Sequence, residues 1–272
     1  MYIVFRKVDI QKLDQVFDTM NFILLIPAVL FFVLSKIVSA YRLNYFLRDE
    51  MVTIPESFNL KLYLLGMYYN LFLPGGIGGD GYKIYLLNKL TGIKAKYIFR
   101  AVLMDRITGV FALLCISLVL SGYLPLSFYL KGLFFASVPL VLFLFYLLIR
   151  KYFRQYLNSF TSTNLQAFVV QLLQVVSAWY IIRSLGIRSD QGMYLFVFLL
   201  SSIVAIIPFT IGGAGARELT FVMSAGLLGL HEERSLGISL IFFLITAIVS
   251  LAGVYYSFRL EKPADSLSHM PL

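Results

Sequence analysis

The sequence predicts an all-α, polytopic helical membrane protein, and three observations support this prediction. Hydrophobic residues make up 60% of the 272 residues and charged residues only 14%, with a mean hydropathy of +0.84. Several apolar stretches are long enough to cross a hydrocarbon core of about 30 Å, which takes roughly 20 residues. Two breaks rich in proline and glycine interrupt the apolar segments. We therefore expect about six to eight membrane segments, with two broken, re-entrant helices in inverted-topology repeats.

The apolar stretches set the order of the segments along the chain. Two shorter pieces, 60–73 and 218–230, each adjoin a break, and we interpret them as half-helices, re-entrant segments or short spans. Residues 1–20 are polar with mixed charge, which indicates an amphipathic segment at the membrane interface rather than a cleavable signal. Residues 21–260 are expected to form a single integral membrane domain, followed by a short polar tail at 261–272. The expected full spans lie near 21–40, 101–122, 131–149, 165–185, 191–208 and 236–258.

The net charge of +9 is concentrated in short loops between the apolar stretches, as the positive-inside rule describes. This placement argues against a nucleic-acid partner. The most basic connection, 83–100, is expected in the cytoplasm, and the basic loop 41–60 joins it there if segment 60–81 enters the membrane and returns. We prefer this re-entrant interpretation because a full crossing would separate the two basic loops.

The two breaks share one pattern. Residues 74–83 read Pro-Gly-Gly-Ile-Gly-Gly-Asp-Gly-Tyr-Lys, and residues 208–217 read Pro-Phe-Thr-Ile-Gly-Gly-Ala-Gly-Ala-Arg. Proline ends a helix, and glycine lets a ligand approach the backbone closely. A helix that starts after such a break points N–H groups at one spot, which suits an anion such as phosphate. The backbone positions expected to form the breaks are Pro74, Gly75, Gly76, Gly78, Gly79, Gly81, Pro208, Gly212, Gly213 and Gly215.

The same pattern is also compatible with structural bends in a closely packed bundle. The chain has no Walker lysine pattern, no His-Glu-x-x-His zinc pattern and no nucleophile elbow, so we predict no catalytic residue and no cofactor. The single Cys115 and the two histidines, His231 and His269, cannot build a metal set or a disulfide framework, and no metal site is predicted.

Ionisable side chains at membrane depth are costly and are therefore candidates for a functional site. Because adjacent residues on a helix do not face each other, neighbouring candidates such as Asp105 and Arg106 are expected to reach different partners. The expected pairs across the repeats are Asp80 with Arg217, and Arg106 with Glu218. The candidates for binding a substrate or lipid are Asp80, Lys83, Asp105, Arg106, Arg217 and Glu218.

Other polar residues in the spans have simpler interpretations. Lys36 and Arg183 lie near the ends of expected spans, where a long side chain snorkels to the interface. Snorkelling remains an alternative for Asp105 and Arg106 as well. Asn70, Gln171 and Gln174 are expected to form hydrogen bonds between helices.

These motifs resemble the transmembrane region of the lysylphosphatidylglycerol synthase/flippase family. The similarity rests on residues 70–80, on Asp105-Arg106 with Gly109, and on residues 212–218, in this order. Arg42 also falls where that family often has an arginine. The resemblance covers residues 20–260. It implies that Asp80, Arg106, Arg217 and Glu218 match family positions, whereas Asp105 departs from them because the family more often has Glu there.

The resemblance also implies a function. In that family, this region is implicated in moving aminoacylated phospholipids between leaflets, and a separate soluble domain performs the aminoacyl transfer. The sequence offers no segment for that domain, so we do not expect lysyl transfer by this polypeptide alone. Members usually begin with one more span, and this chain begins in the polar stretch that follows it. We expect either that the first helix is missing or that the start is placed too late.

Three hypotheses follow for the function. The leading one is a flippase-like transporter of the plasma membrane, in a bacterium or archaeon by the resemblance. Its partners are membrane lipids, and transport is facilitated or ion-coupled because no ATP motif is present. The second is a membrane-embedded transferase acting on a lipid-linked donor, with Asp80 and Asp105 as base or metal ligands. The third is a non-catalytic subunit that anchors a separately encoded transferase.

Overall fold

The chain folds into helices joined by short loops, in a computed structural model that describes residues 17, 18, 20–73, 78–206 and 215–257. No strand occurs among these residues. Single turns of 3-10 helix follow or precede some of the helices. The helices are α1 (Leu25–Asp49), α2 (Glu56–Phe72), α3 (Gly78–Thr91), α4 (Ala95–Leu120), α5 (Phe128–Tyr152), α6 (Phe160–Ser184), α7 (Gln191–Val204), α8 (Ala216–Leu228), α9 (Glu232–Leu251) and α10 (Val254–Ser257).

Within this described part, five helical segments are long and apolar enough to cross a membrane, which confirms the all-α, polytopic prediction. The remaining expected span, 191–208, is shorter than predicted, since α7 has 14 residues and is about 21 Å long. The five long segments are Phe22–Asp49, Ala95–Tyr123, Phe128–Tyr152, Phe160–Ser184 and Glu232–Ser257.

Several of the sequence predictions fall outside the described residues. They concern most of the amino-terminal segment and the polar tail, and the proline and first glycines of each break. These break positions are Pro74, Gly75, Gly76, Pro208, Gly212 and Gly213.

Helices α2 and α3 form a hairpin around the first break. Gly79, near the start of α3, packs against Gly66 in the second half of α2. One turn further along α3, the Lys83 Nζ lies 4.4 Å from the ring centroid of Tyr63, one turn back along α2. The contacts therefore move in opposite directions along the two helices, so the chain returns to the side from which it entered. This geometry agrees with the re-entrant interpretation.

A buried carboxylate lies at the end of the bundle where α2 begins and α3 ends. Glu50, which follows α1, is only 6% exposed and accepts hydrogen bonds from Arg100 Nη2 and from the Tyr156 hydroxyl, both at 2.6 Å. Burial, reinforced by Glu50, raises the pKa of the Tyr156 hydroxyl, which keeps it protonated and able to donate. The loops after α1 and α5 and the start of α4 therefore meet at one end.

Helices α7 and α8 form a second hairpin that opens at the opposite end. Tyr194, near the start of α7, lies close to the backbone of His231, which follows α8. The Trp179 Nε1, near the end of α6, donates to Gln191 Oε1 at 2.9 Å. The end of α8 and the start of α7 therefore lie together at the end of the bundle where α6 finishes. The two hairpins enter from opposite ends, which is the arrangement expected of inverted repeats.

The apolar core is divided along the bundle axis. One cluster of buried side chains, including Leu43, Leu62 and Ile98, lies towards the Glu50 end. The other, including Phe32 and Phe198, lies towards the Trp179 end. Helices α1 and α6 run through both clusters and pack along their lengths. Between the clusters, Lys36, Ser39 and Arg42 of α1 face a polar layer.

Replacing Gly79 with alanine is expected to destabilise the α2–α3 hairpin. A Cβ atom at Gly79 would overlap the carbonyl group of Gly66, whereas a Cβ atom at Gly81 would meet nothing within 4 Å. Overpacking of this kind costs about 1–3 kcal/mol, so Gly79→Ala lowers the melting temperature measured in detergent, and Gly81→Ala serves as the matched control. Equal melting temperatures for the two variants would contradict the close helix contact.

Candidate functional site

A polar cavity lies between the two apolar clusters. It consists of two adjoining hollows of about 270 and 320 Å³ that share Lys36, Asn70, Arg106 and Arg217 in their walls. Residues from both hairpins and from α1, α4 and α6 line it. The cavity brings together all six side chains that the sequence predicted for the site, namely Asp80, Lys83, Asp105, Arg106, Arg217 and Glu218.

Asp80 holds two cations at once. Its Oδ1 accepts a hydrogen bond from Lys83 Nζ at 3.1 Å, and its Oδ2 accepts one from Arg106 Nε. Lys83 lies one turn further along α3, and its side chain is only 6% exposed. Because Arg106 belongs to α4, the shared carboxylate ties the first hairpin to the neighbouring span. Pairing of this kind is what allows charges to remain at membrane depth.

A second ion pair ties α1 to α4. Arg42 Nε donates to Asp105 Oδ1 at 2.7 Å, and Arg42 Nη2 donates to the Asp105 carbonyl oxygen at 3.0 Å. Gly109 lies beside this guanidinium, since a Cβ atom there would be 3.5 Å from Arg42 Nη2. Asp105 and Arg106 thus reach different partners, as the helical geometry predicted.

The expected pairs of Asp80 with Arg217 and of Arg106 with Glu218 are wrong. Asp80 and Arg106 pair with each other because α3 packs directly against α4. Glu218 instead binds groups of its own break and of α9: its Oε2 accepts from the Gly215 N–H at 2.5 Å, and its Oε1 accepts from the Ser239 hydroxyl of α9 at 3.2 Å. Glu218 therefore caps the start of α8.

The first hairpin has a cap of the same kind. The Gly79 N–H donates to Asn70 Oδ1 at 2.8 Å, so an amide of α2 satisfies a backbone donor at the start of α3. Gly215 has φ of +95°, a conformation that favours glycine. In each break, one of the N–H groups that we expected to bind an anion donates to a side chain of the protein instead. The cations that line the cavity are further groups that could meet an anion there.

Two of these cations have no carboxylate partner among the described residues. The Lys36 Nζ lies 4.6 Å from the ring centroid of Phe32. The Arg217 guanidinium carbon lies 4.6 Å from the ring centroid of Phe242, and its Nη1 is buried without a hydrogen-bond partner. Cation–π contacts compensate only part of the lost hydration. The cavity therefore has an excess of positive charge, from Lys36, Arg42, Lys83, Arg106 and Arg217 against Asp80, Asp105 and Glu218.

Comparison with protein-family models gives a match over residues 1–253 to the family described as the lysylphosphatidylglycerol synthase TM region. The chain belongs to this family. Comparison with curated proteins gives no significant match. Membership of the lysylphosphatidylglycerol synthase TM-region family, together with the five apolar helical segments, identifies a multi-pass membrane protein and indicates a function related to membrane lipids.

Lys36 lies deeper in its helix than the sequence predicted. The expected span ended near residue 40, which placed Lys36 close to the interface, but α1 continues to Asp49. Lys36 therefore lies near mid-helix and lines the polar cavity instead of snorkelling. The available signal that α1 continues beyond residue 40 was the presence of polar residues such as Arg42 and Asn44. Both are buried against neighbouring helices.

The amides of α6 also contribute to the site. Gln171 and Gln174 line the cavity, and Gln171 Nε2 donates to the Gly109 carbonyl oxygen at 3.4 Å. This contact is the interhelical hydrogen bond that the sequence predicted for Gln171. Within the described ranges, no three His, Cys, Asp or Glu side chains are grouped as metal ligands.

Removing Arg42 is expected to destabilise the protein more than removing the whole pair. Arg42 is 4% exposed, so Arg42→Met leaves Asp105 with an uncompensated charge, which costs about 3–5 kcal/mol for a buried pair. The double variant Arg42→Met/Asp105→Leu removes both charges and should recover part of that loss. The free energy of unfolding of both variants is measured in mixed micelles. A double variant less stable than Arg42→Met would contradict the assigned pair.

Proposed function

We propose that this chain is a flippase-like transporter that moves an anionic lipid head group between the leaflets of the plasma membrane. The observation that supports the proposal most directly is the pair of unpartnered cations, Lys36 and Arg217, in a polar cavity at membrane depth. Charges in that position are costly, and a bound anion would offset the cost. Family membership supports a role that involves lipids.

In this proposal the phosphate of the head group binds between Lys36 and Arg217. Arg106 and Lys83 are held in place by Asp80, so they present donors without losing their own partner. The amides of Asn70 and Gln174 also line the cavity and would bind hydroxyl or ammonium groups. These polar groups would take the place of the water that surrounds a head group at the membrane surface.

Access to the cavity would alternate through the two hairpins. The α2–α3 hairpin opens towards the Glu50 end and the α7–α8 hairpin towards the Trp179 end. Transporters with inverted repeats use rocking of one repeat against the other to expose a central site to each side in turn. Residues of both hairpins line the cavity, so a small displacement of either hairpin would change which end is open.

The function is tested by leaflet exchange of fluorescent phospholipids in proteoliposomes. Loss of a hydrogen bond to a charged group costs about 1.5–3 kcal/mol, so Lys36→Ala and Arg217→Ala should each slow exchange about ten- to a hundredfold. Asp80→Asn should also slow it, because Lys83 and Arg106 lose their common partner. Arg183→Ala is the matched control, since Arg183 is an exposed cation stacked on Trp179 outside the cavity.

Exchange by all variants at the wild-type rate would overturn the proposed transport path. Absence of exchange by well-folded wild-type protein, with anionic, zwitterionic and aminoacylated lipids, would favour a second function as the membrane anchor of a separately encoded transferase. The specific observation for that alternative is α5, whose buried residues are only Phe145 and Ile149 among its 25 residues. An activity that requires a divalent ion would instead favour a membrane-embedded transferase.

A further inference from the structure

An apolar groove runs along the outside of the bundle next to the polar cavity. It has a volume of about 390 Å³ and lies between α1, α2 and the last two helices, α9 and α10. Its apolar walls include Val33 and Ile37 of α1, Leu60 and Leu64 of α2, and Val249 of α9. We call this feature the apolar groove. It is within the size range of pockets that hold small ligands.

The apolar groove and the polar cavity share two residues. Lys36 and Tyr63 line both. The Tyr63 ring lies 4.4 Å from Lys83 Nζ, inside the polar cavity, so this ring forms part of the wall between the two spaces. Lys36 lies on α1 at the boundary between the two spaces. The polar and apolar spaces therefore adjoin at an unpartnered cation.

The apolar groove follows α2 for about 10 Å, from Ser57 to Leu64. The Asn59 amide donates to the Ala40 carbonyl oxygen at 2.5 Å, which sets α1 and α2 side by side in opposite directions. On α1 the lining residues are Val33, Lys36 and Ile37, near the middle of that helix. Half of a hydrocarbon core is roughly 15 Å thick. The groove thus spans part of one leaflet, from the level of Lys36 towards the Glu50 end.

We infer that the apolar groove binds one acyl chain of the phospholipid whose head group occupies the polar cavity. The inference rests on the proposed function, because it assigns both spaces to one molecule. A cation shared with the polar cavity and apolar walls beside it match the order of a phospholipid, in which the phosphate adjoins the chains. The lipid enters between α1 and α2, with its chain along Ile37 and Leu64.

The test uses a photoreactive phospholipid with an anionic head group and a diazirine at the middle of one acyl chain. Full-length protein in phosphatidylcholine nanodiscs is irradiated, and the labelled peptides are mapped by mass spectrometry. We expect labelling at residues 33–37 and 60–64 that excess unlabelled anionic phospholipid competes away. Labelling of lipid-facing α5 should persist under the same competition, since it reports bulk lipid.

Two tryptophan variants test the position of the chain. Leu64→Trp fills the apolar groove and excludes several methylene groups, so it should lower the competable labelling about tenfold. Leu34→Trp is the matched control, because Leu34 lies on α1, is 38% exposed and does not line the groove. Melting temperatures of both variants are compared to confirm that each is folded.

The outcomes separate this inference from the proposed transport. Competable labelling in the groove without leaflet exchange would support the acyl-chain site and contradict transport. Leaflet exchange without competable labelling at 33–37 or 60–64, or with labelling that Leu64→Trp leaves unchanged, would support transport and overturn the acyl-chain site.

Discussion

The need to pair charges at membrane depth organises this structure. Helix α4 carries Asp105 and Arg106 next to each other, and their side chains leave the helix in different directions. One binds Arg42 of α1 and the other binds Asp80 of the first hairpin. These two contacts fix the positions of α1 and α3 relative to α4. The polar cavity exists because the three elements converge on these charges instead of burying apolar side chains there.

At the breaks in the two hairpins, backbone polar groups also need partners inside the membrane. A helix that starts inside the membrane exposes N–H groups that no water can satisfy. Asn70 accepts from Gly79, and Glu218 accepts from Gly215, so each hairpin supplies a cap from a side chain near its own break. Arg217, next to Glu218 on α8, faces Phe198 and Phe242 instead of this carboxylate, because adjacent residues on a helix point in different directions.

Much of the fold could be predicted from the sequence, because length and hydropathy determine where a membrane helix can form. The antiparallel packing of α2 and α3 agrees with the re-entrant interpretation, which rested on the basic loops on either side sharing one face. The six candidate site residues were chosen for their cost at membrane depth, and they line one cavity. Their pairing did not follow, because it depends on which helices are neighbours, and spacing along the chain does not reveal that α3 packs against α4. Lys36 was misplaced because the length of α1 was underestimated.

The surplus of positive charge in the polar cavity has a consequence for how the membrane potential acts on the protein. An elementary charge that crosses the whole membrane gains or loses about 2.3 kcal/mol per 100 mV. In the proposed transport the fixed cations do not cross, so they would lower the barrier for an anion without setting its direction. For a head group with one negative charge, an inside-negative potential favours movement towards the outer leaflet. Electrical work on the lipid itself would then supply a driving force that requires no nucleotide and no coupled ion.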